Sequence, residues 1–212
     1  KVVIENYPEN KSETFEIPNH PGNPAMGERT VSFCREIWIE SDDFWEDPPK
    51  KFFRLAPGRE VRLRYAYYIT CKTIIKGASG EIREIRCHYD PDSRGGGTDD
   101  GRKVKGTLHW VSVKHALNAE IRLYNPLFSV ANPLGETDVD LNHLINSESL
   151  INLPQAQVEA SIGDNSVRDV IQLERLGYFC VDTDSAPNQL VLNRTVTLRD
   201  SRNKENIKPP IR

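Results

Sequence analysis

KKFFRLAPGREVRLRYAYY, residues 50–68, is the stretch from which the rest of the chain is read. From Val61 it alternates, putting Val61, Leu63, Tyr65, Tyr67 and Ile69 on one face and Arg62, Arg64, Ala66 and Tyr68 on the other. A side-chain period of two predicts a strand with an apolar face and a face carrying two arginines and a tyrosine. Just upstream, Lys50, Lys51 and Arg54 interleave with Phe52 and Phe53 ahead of a turn at Pro57-Gly58. Guanidinium groups and aromatic rings hydrogen-bond to and stack on unpaired bases. Charges on a solvated edge strand also discourage aggregation. The stretch alone leaves both readings open.

Charge distribution bears on that choice. The 212 residues carry a net charge of −3. Between Pro49 and Phe128, however, there are 16 Lys+Arg against 8 Asp+Glu, a net of +8, while the remainder holds 12 basic and 23 acidic residues, a net of −11. A basic block between acidic flanks points to a polyanion-binding face. Hydrophobic content of 37% and charged content of 28% describe a soluble globular protein of one large or two small domains. No apolar run approaches the length of a membrane span, and KVVIENYPEN is not a signal peptide, so a cytoplasmic location without membrane contact is expected. The chain begins at Lys1 and its only methionine is Met26, which is read as a fragment or a processed chain.

Taken in order, residues 2–6 and 13–17 read as short strands. PNHPGNPAMG (18–27) is a loop, residues 29–40 are a strand with a bulge near Arg35, and Ser41–Phe44 is a single helical turn ended by Pro48-Pro49. A hairpin spans residues 70–89 across Gly77–Gly80. Residues 90–101 form a polar, glycine-rich loop. Strands are predicted around 108–113, 119–124, 170–182 and 190–198. Residues 129–165 read as less regular, with a short helix at 140–145, and the tail from Asp200 is expected to fray. Many short strands between Pro/Gly turns predict an all-β protein, two small barrels in preference to one sandwich.

Catalytic and metal chemistry finds no support in these residues. Cys34, Cys71, Cys87 and Cys180 form no CxxC pair and read as reduced, mostly buried thiols. His20, His109 and His115 lack a positioned nucleophile or carboxylate and read as structural. Gly95-Gly96-Gly97 has no following Lys-Ser/Thr helix start, and the acidic spacing in 90–101 does not fit an EF-hand. No catalytic residue and no metal ligand is expected.

Several strings together resemble one family. They are KVVIENYP (1–8), PNHP (18–21), REIWIE (35–40), REVRLRYAY (59–67), DGRKVKGTLHWVS (100–112), AEIRLYNPLFSV (119–130), ERLGYFCVD (174–182) and NRTVTLRD (193–200). In this order they resemble the C-terminal, anticodon-binding region of glutaminyl-tRNA synthetase, the class I glutamine–tRNA ligase. The resemblance implies two β-barrels of the ribosomal protein L25-like anticodon-binding fold. A proximal barrel would comprise 1–48 and 129–212, with a distal barrel, 49–128, inserted in it. The inserted segment coincides with the net +8 block.

The resemblance also implies a partner and roles. The partner is tRNA-Gln, with glutamine and ATP reached through a catalytic domain absent from this chain, ATP and Mg serving the full-length enzyme and no cofactor held here. A monomer is expected. Arg62 would contact the first anticodon base, Arg54 the third, and Gln172 the middle uridine. Lys51 stands where relatives have a glutamine at the middle base, and Phe53 where they have a lysine. Lys51 cannot accept a hydrogen bond, which throws weight onto Gln172, and Phe53 would stack. Arg64, Lys103 and Lys105 are candidates for phosphate contacts, although Arg64 and Arg122 suit strand salt bridges equally well. The alternatives are a glutamyl-tRNA synthetase of the β-barrel type and an rRNA-binding L25-like protein.

Overall fold

A computed structural model describes residues 1–135 and 139–198. The chain is all-β and organised as two β-barrel units, as the pattern of short strands and turns predicts. One compact unit comprises Lys1–Leu117 with Gln157–Ile162, the other Asn118–Ala156 with Gly163–Arg212, described as far as residue 198.

In the first unit the strands are β1 (Val2–Ile4), β2 (Ser12–Pro18), β3 (Glu28–Cys34), β4 (Glu36–Trp38), β5 (Glu60–Leu63), β6 (Tyr68–Lys76), β7 (Ile82–Asp90), β8 (Thr107–Leu108) and β9 (Val111–Ser112). Seven of them form a half-barrel sheet in the order β8-β5-β6-β7-β1-β4-β9, and β2 pairs with β3 as a separate hairpin. That hairpin lays Phe15 and Phe33 against Tyr67 and Trp110, ring centroids 5.1–6.4 Å apart and mostly edge to face. Val2, Ile4, Ile37, Val61, Leu63, Ile69 and Leu108 complete the interior. Fully burying one such side chain contributes about 1.5–3 kcal/mol, so the alternating apolar positions suffice to hold the sheet to its hairpin.

A half-buried carboxylate sits beside this interior. Glu13 Oε1 accepts hydrogen bonds from Tyr7 and Tyr67, both at 2.8 Å, and Oε2 accepts one from Arg94 Nε at 3.3 Å. The largest influence on the carboxyl is burial, which raises its pKa, but the three donors together with Lys11 outweigh it and hold the group below its ordinary value.

The second unit is a five-stranded sheet in the order β11-β10-β14-β13-β12. Its strands are β10 (Leu117–Tyr124), β11 (Leu150–Val158), β12 (Val170–Leu173), β13 (Gly177–Val181) and β14 (Leu190–Val196). Phe179, Val181, Val191 and Leu192 are its most buried side chains.

The strand expected to run on from Val61 is instead two strands. β5 stops at Leu63, and Arg64-Tyr65-Ala66 turns the chain back into β6, with Leu63 N–H donating to Tyr67 O at 2.8 Å. Tyr65 takes φ +62° there, a left-handed conformation rare for an aromatic residue, which is why no turn signal is legible. Likewise 170–182 is a hairpin, with Arg175 at φ +66° and Gly177 at φ +144° in its turn. β11 was not foreseen. Pro154 within it argues against a central strand, but β11 lies at the sheet edge, where a missing donor is tolerated.

Other expectations hold. The break at Arg35 separates β3 from β4, and Ser41–Asp43 is one 3-10 turn. The β6–β7 hairpin closes at Gly80, φ +87°. Leu141–Leu144 is a 3-10 turn capped by Asp140, and the tail beyond 198 lies outside the described residues. No disulfide joins the cysteines, of which Cys34, Cys71 and Cys87 are buried. The expected division joined 1–48 to 129–212 with 49–128 inserted. In the first compact unit β1 and β4 hydrogen-bond in the same sheet as β5–β9.

Candidate nucleic-acid interface

At the β8 edge of the first unit, three backbones run side by side. Arg62 N–H donates to Gly106 O at 2.8 Å, and β5 pairs in parallel with β8 so that Arg62 faces Thr107. Gly106 also lies against residue 53, since a Cβ there would fall 2.2 Å from Phe53 O. Only glycine lets segment 52–54 approach so closely. The approach brings Phe53, Arg54, Arg62 and Lys105 to one neighbourhood.

Phe53 is 50% exposed, unusual for a phenylalanine with a core available, and Lys105 Nζ lies 5.1 Å from its ring centroid. Lys51 and Lys103 are exposed nearby in sequence. An open aromatic ring with the Lys105 ammonium over it suits a stacked base and its phosphate.

Arg62 is not simply solvated. It faces Tyr68 across the β5–β6 pair, donates from Nη2 to Tyr68 Oη at 3.3 Å, and places its guanidinium carbon 5.5 Å from the buried Tyr68 ring. Its Nε is buried and has no hydrogen-bond partner among the described residues. Arg64 sits over the Tyr65 ring at 5.2 Å. Arg54 divides its guanidinium between Asp42 O (3.1 Å) and the fully buried carboxylate of Asp43 (2.8 Å), and its side chain stays 40% exposed.

Beside Arg62, Arg102 bonds to Glu60, Asp90 and Asp100 at once. Glu60, then Asp90 and Asp100, raise its pKa beyond the arginine range. Thr98, the Arg102 N–H and the Arg102 side chain hold Asp100 down at about 2. Much of the basic block is neutralised in this way, Arg83, Arg86 and Arg94 also pairing with carboxylates. Lys105, exposed beside Phe53, is a small part of the +8.

In the second unit Gln172 lies exposed on the edge strand β12, directly across from Tyr178 on β13. Tyr178 is 41% exposed, so an amide and an aromatic ring share one solvent face. Sequence reasoning passed over Tyr178; its alternation with the buried Gly177 and Phe179 in GYFCV was the available signal. Arg122 is engaged with Glu120 (2.6 Å) and Asp184 (2.8 Å), the structural role open to it.

Among the described residues no group of three or more His, Cys, Asp or Glu could hold a metal ion, and no helix is long and apolar enough to cross a membrane. His20 Nδ1 accepts from Gly22 N–H at 3.1 Å, anchoring its loop, and His115 Nδ1 lies 2.8 Å from Ser112 Oγ.

Comparison with known proteins completes the description. Two family models match, both described as the anti-codon binding domain of tRNA synthetases class I (E and Q), over residues 1–90 and 107–182. A glutamine–tRNA ligase of Nitrobacter hamburgensis is 53% identical over 201 residues, 95% of this chain and 35% of that protein. One of Bradyrhizobium diazoefficiens is 52% identical over 97% of this chain and 36% of its own length, and one of Idiomarina loihiensis 50% over 95% and 36%. The chain thus spans about a third of the length of these curated relatives.

Proposed function

This chain belongs to the anticodon-binding domains of the class I tRNA synthetases (E and Q), and we propose from that membership that it reads the anticodon of tRNA-Gln. The relatives above carry the name glutamine–tRNA ligase. In the full-length protein a catalytic domain outside these residues would then attach glutamine using ATP with Mg. This chain, with no nucleotide motif, would supply recognition alone.

The observation that carries the reading is the exposed Phe53 with Lys105 over its ring, beside Arg62 and Arg54. Arg62 addresses the first anticodon base, Arg54 the third and Gln172 the middle one. Terminal guanidinium nitrogens make paired bonds to a base edge or join a base to a phosphate, and an amide both donates to and accepts from uracil. Phe53 and Tyr178 supply ring faces on which splayed bases stack. Lys51, Arg64, Lys103 and Lys105 meet phosphates, which sets salt dependence and not base choice.

Filter binding of the chain to tRNA-Gln and tRNA-Glu transcripts tests this. A preference for tRNA-Gln that is lost on changing its anticodon is expected. A preference for tRNA-Glu would move the assignment to the glutamyl enzyme, and binding indifferent to the anticodon would favour an rRNA-type binder.

A further inference from the structure

Arg62 is enclosed by Gly96 and Tyr68. On the reading that Arg62 addresses an anticodon base, we propose that Gly96, Tyr68 and Arg102 are positioning residues that aim its terminal nitrogens and so set discrimination at that base.

Gly96 is the tightest of the three. It sits at φ +85°, and a Cβ there would lie 2.9 Å from Arg62 Cδ and 3.4 Å from Arg62 Nε. The glycine backbone therefore lies on the stem of Arg62 and over Nε, the buried atom without a partner. What remains for a ligand is the outer end of the guanidinium. Tyr68 ties the two together, since its Oη accepts from Arg62 Nη2 at 3.3 Å and donates to Gly96 O at 3.1 Å.

The loop that carries Gly96 is pinned at both ends. Ser93 Oγ accepts from Tyr68 N–H at 2.8 Å and donates to Asp90 O at 2.6 Å, and Gly96 N–H donates to Ser93 O at 2.8 Å. At the far end Arg102 bonds to Glu60, Asp90 and Asp100, and its guanidinium carbon lies 5.3 Å from the Tyr68 ring centroid. The Tyr68 ring thus has an arginine near it on two counts, one offered to ligand and one locked by carboxylates. A free arginine loses rotamer entropy on binding, whereas one already held in place loses little.

The test uses two neighbouring glycines. Gly95 has nearly the same φ, +83°, but a Cβ there would meet nothing within 4 Å. Gly95→Ala therefore carries the same backbone strain as Gly96→Ala without touching Arg62. The chain is assayed by filter binding to tRNA-Gln transcripts with the cognate and with a substituted first anticodon base. Gly96→Ala should lower cognate affinity about tenfold and abolish discrimination at that base, while Gly95→Ala does neither. In an Arg62→Ala background, Gly96→Ala should have no further effect, because the two act through one side chain. Tyr68→Phe, which keeps the ring and removes the bridging hydroxyl, should show a smaller loss with the same dependence on Arg62, and decides the matter if Gly96→Ala does not fold.

Equal effects of the two glycine substitutions, or full additivity with Arg62→Ala, would overturn the positioning role. An Arg62→Ala variant that binds as the unaltered chain does would remove the base contact itself, and the positioning role with it. A loss in Arg62→Ala with none in Gly96→Ala and Tyr68→Phe would leave the base contact standing and overturn positioning alone.

Discussion

Nη1 of Arg54 lies 2.8 Å from Oδ1 of Asp43, a carboxylate with no exposed surface. An arginine proposed to read RNA is therefore also a counter-ion to a buried charge. Removing one member of a buried ion pair is costly because the other is left in place. The arginine head is partly solvated and Asp43 has further interactions, so Arg54→Ala should lower the free energy of unfolding by about 1–3 kcal/mol. Arg54→Lys should recover part of it. Urea denaturation checks this, and an unchanged midpoint would show that Asp43 is held without Arg54. RNA binding by Arg54 variants has to be compared at equal folded fraction.

Arg62→Ala should weaken binding of the cognate anticodon by about 1–3 kcal/mol, the worth of a good base contact. Filter binding at fixed salt measures it. Unchanged affinity would return Arg62 to a structural role as the cross-strand partner of Tyr68.

Gln172 and Tyr178 face one another on β12 and β13 but should fail differently. Gln172→Ala should relax discrimination at the middle anticodon base with a modest loss of affinity. Tyr178→Ala should lower affinity by about 1–3 kcal/mol for any base at that position, since stacking is tolerant of base identity. Transcripts with all four middle bases separate the two patterns, and intact discrimination in Gln172→Ala would end its assignment.

Lys103 and Lys105 should act through charge alone. Lys105→Ala should lower the slope of log affinity against log salt by about one, with base preference intact. A change of preference at constant slope would make Lys105 a base contact.

Stability should depend on pH through Glu13. Its folded pKa lies below the ordinary value of 4.5, the hydrogen bonds from Tyr7, Tyr67 and Arg94 overcoming the opposing effect of burial. The stabilisation it brings is thus present above 4.5 and lost as pH falls through the lower folded value. Burial, then Glu13, raises Tyr67 to about 12, so its contribution is intact below the ordinary value of 10 and disappears as pH climbs towards 12. Melting temperature against pH for Glu13→Gln should show a shallower acid limb; an acid limb identical to that of the unaltered chain would locate the sensitive carboxylates elsewhere.

The positions of the strands were legible where apolar alternation met a turn residue that advertises itself, as at Gly77–Gly80 and in PNHPGNPAMG. They were not legible where the turn was made by Tyr65 or Arg175, because a left-handed residue that is neither glycine nor asparagine leaves no mark in a pattern. β11 was hidden for the complementary reason, a proline that only its edge position makes harmless. Of the candidate site, the charged and aromatic content of 50–68 could be read directly. The burial of Tyr68 beneath Arg62 and the pairing of Arg54 with Asp43 could not.

By itself the chain of residues determined the class of fold, the concentration of basic groups between Pro49 and Phe128, and the family signature, since each is a property of order and spacing along one dimension. Tertiary structure alone decided which of those cations are cancelled by carboxylates and which stand beside an open ring. Charge pairing depends on distances between residues far apart in the chain, such as Arg94 and Glu13, and those exist only once the sheet has closed.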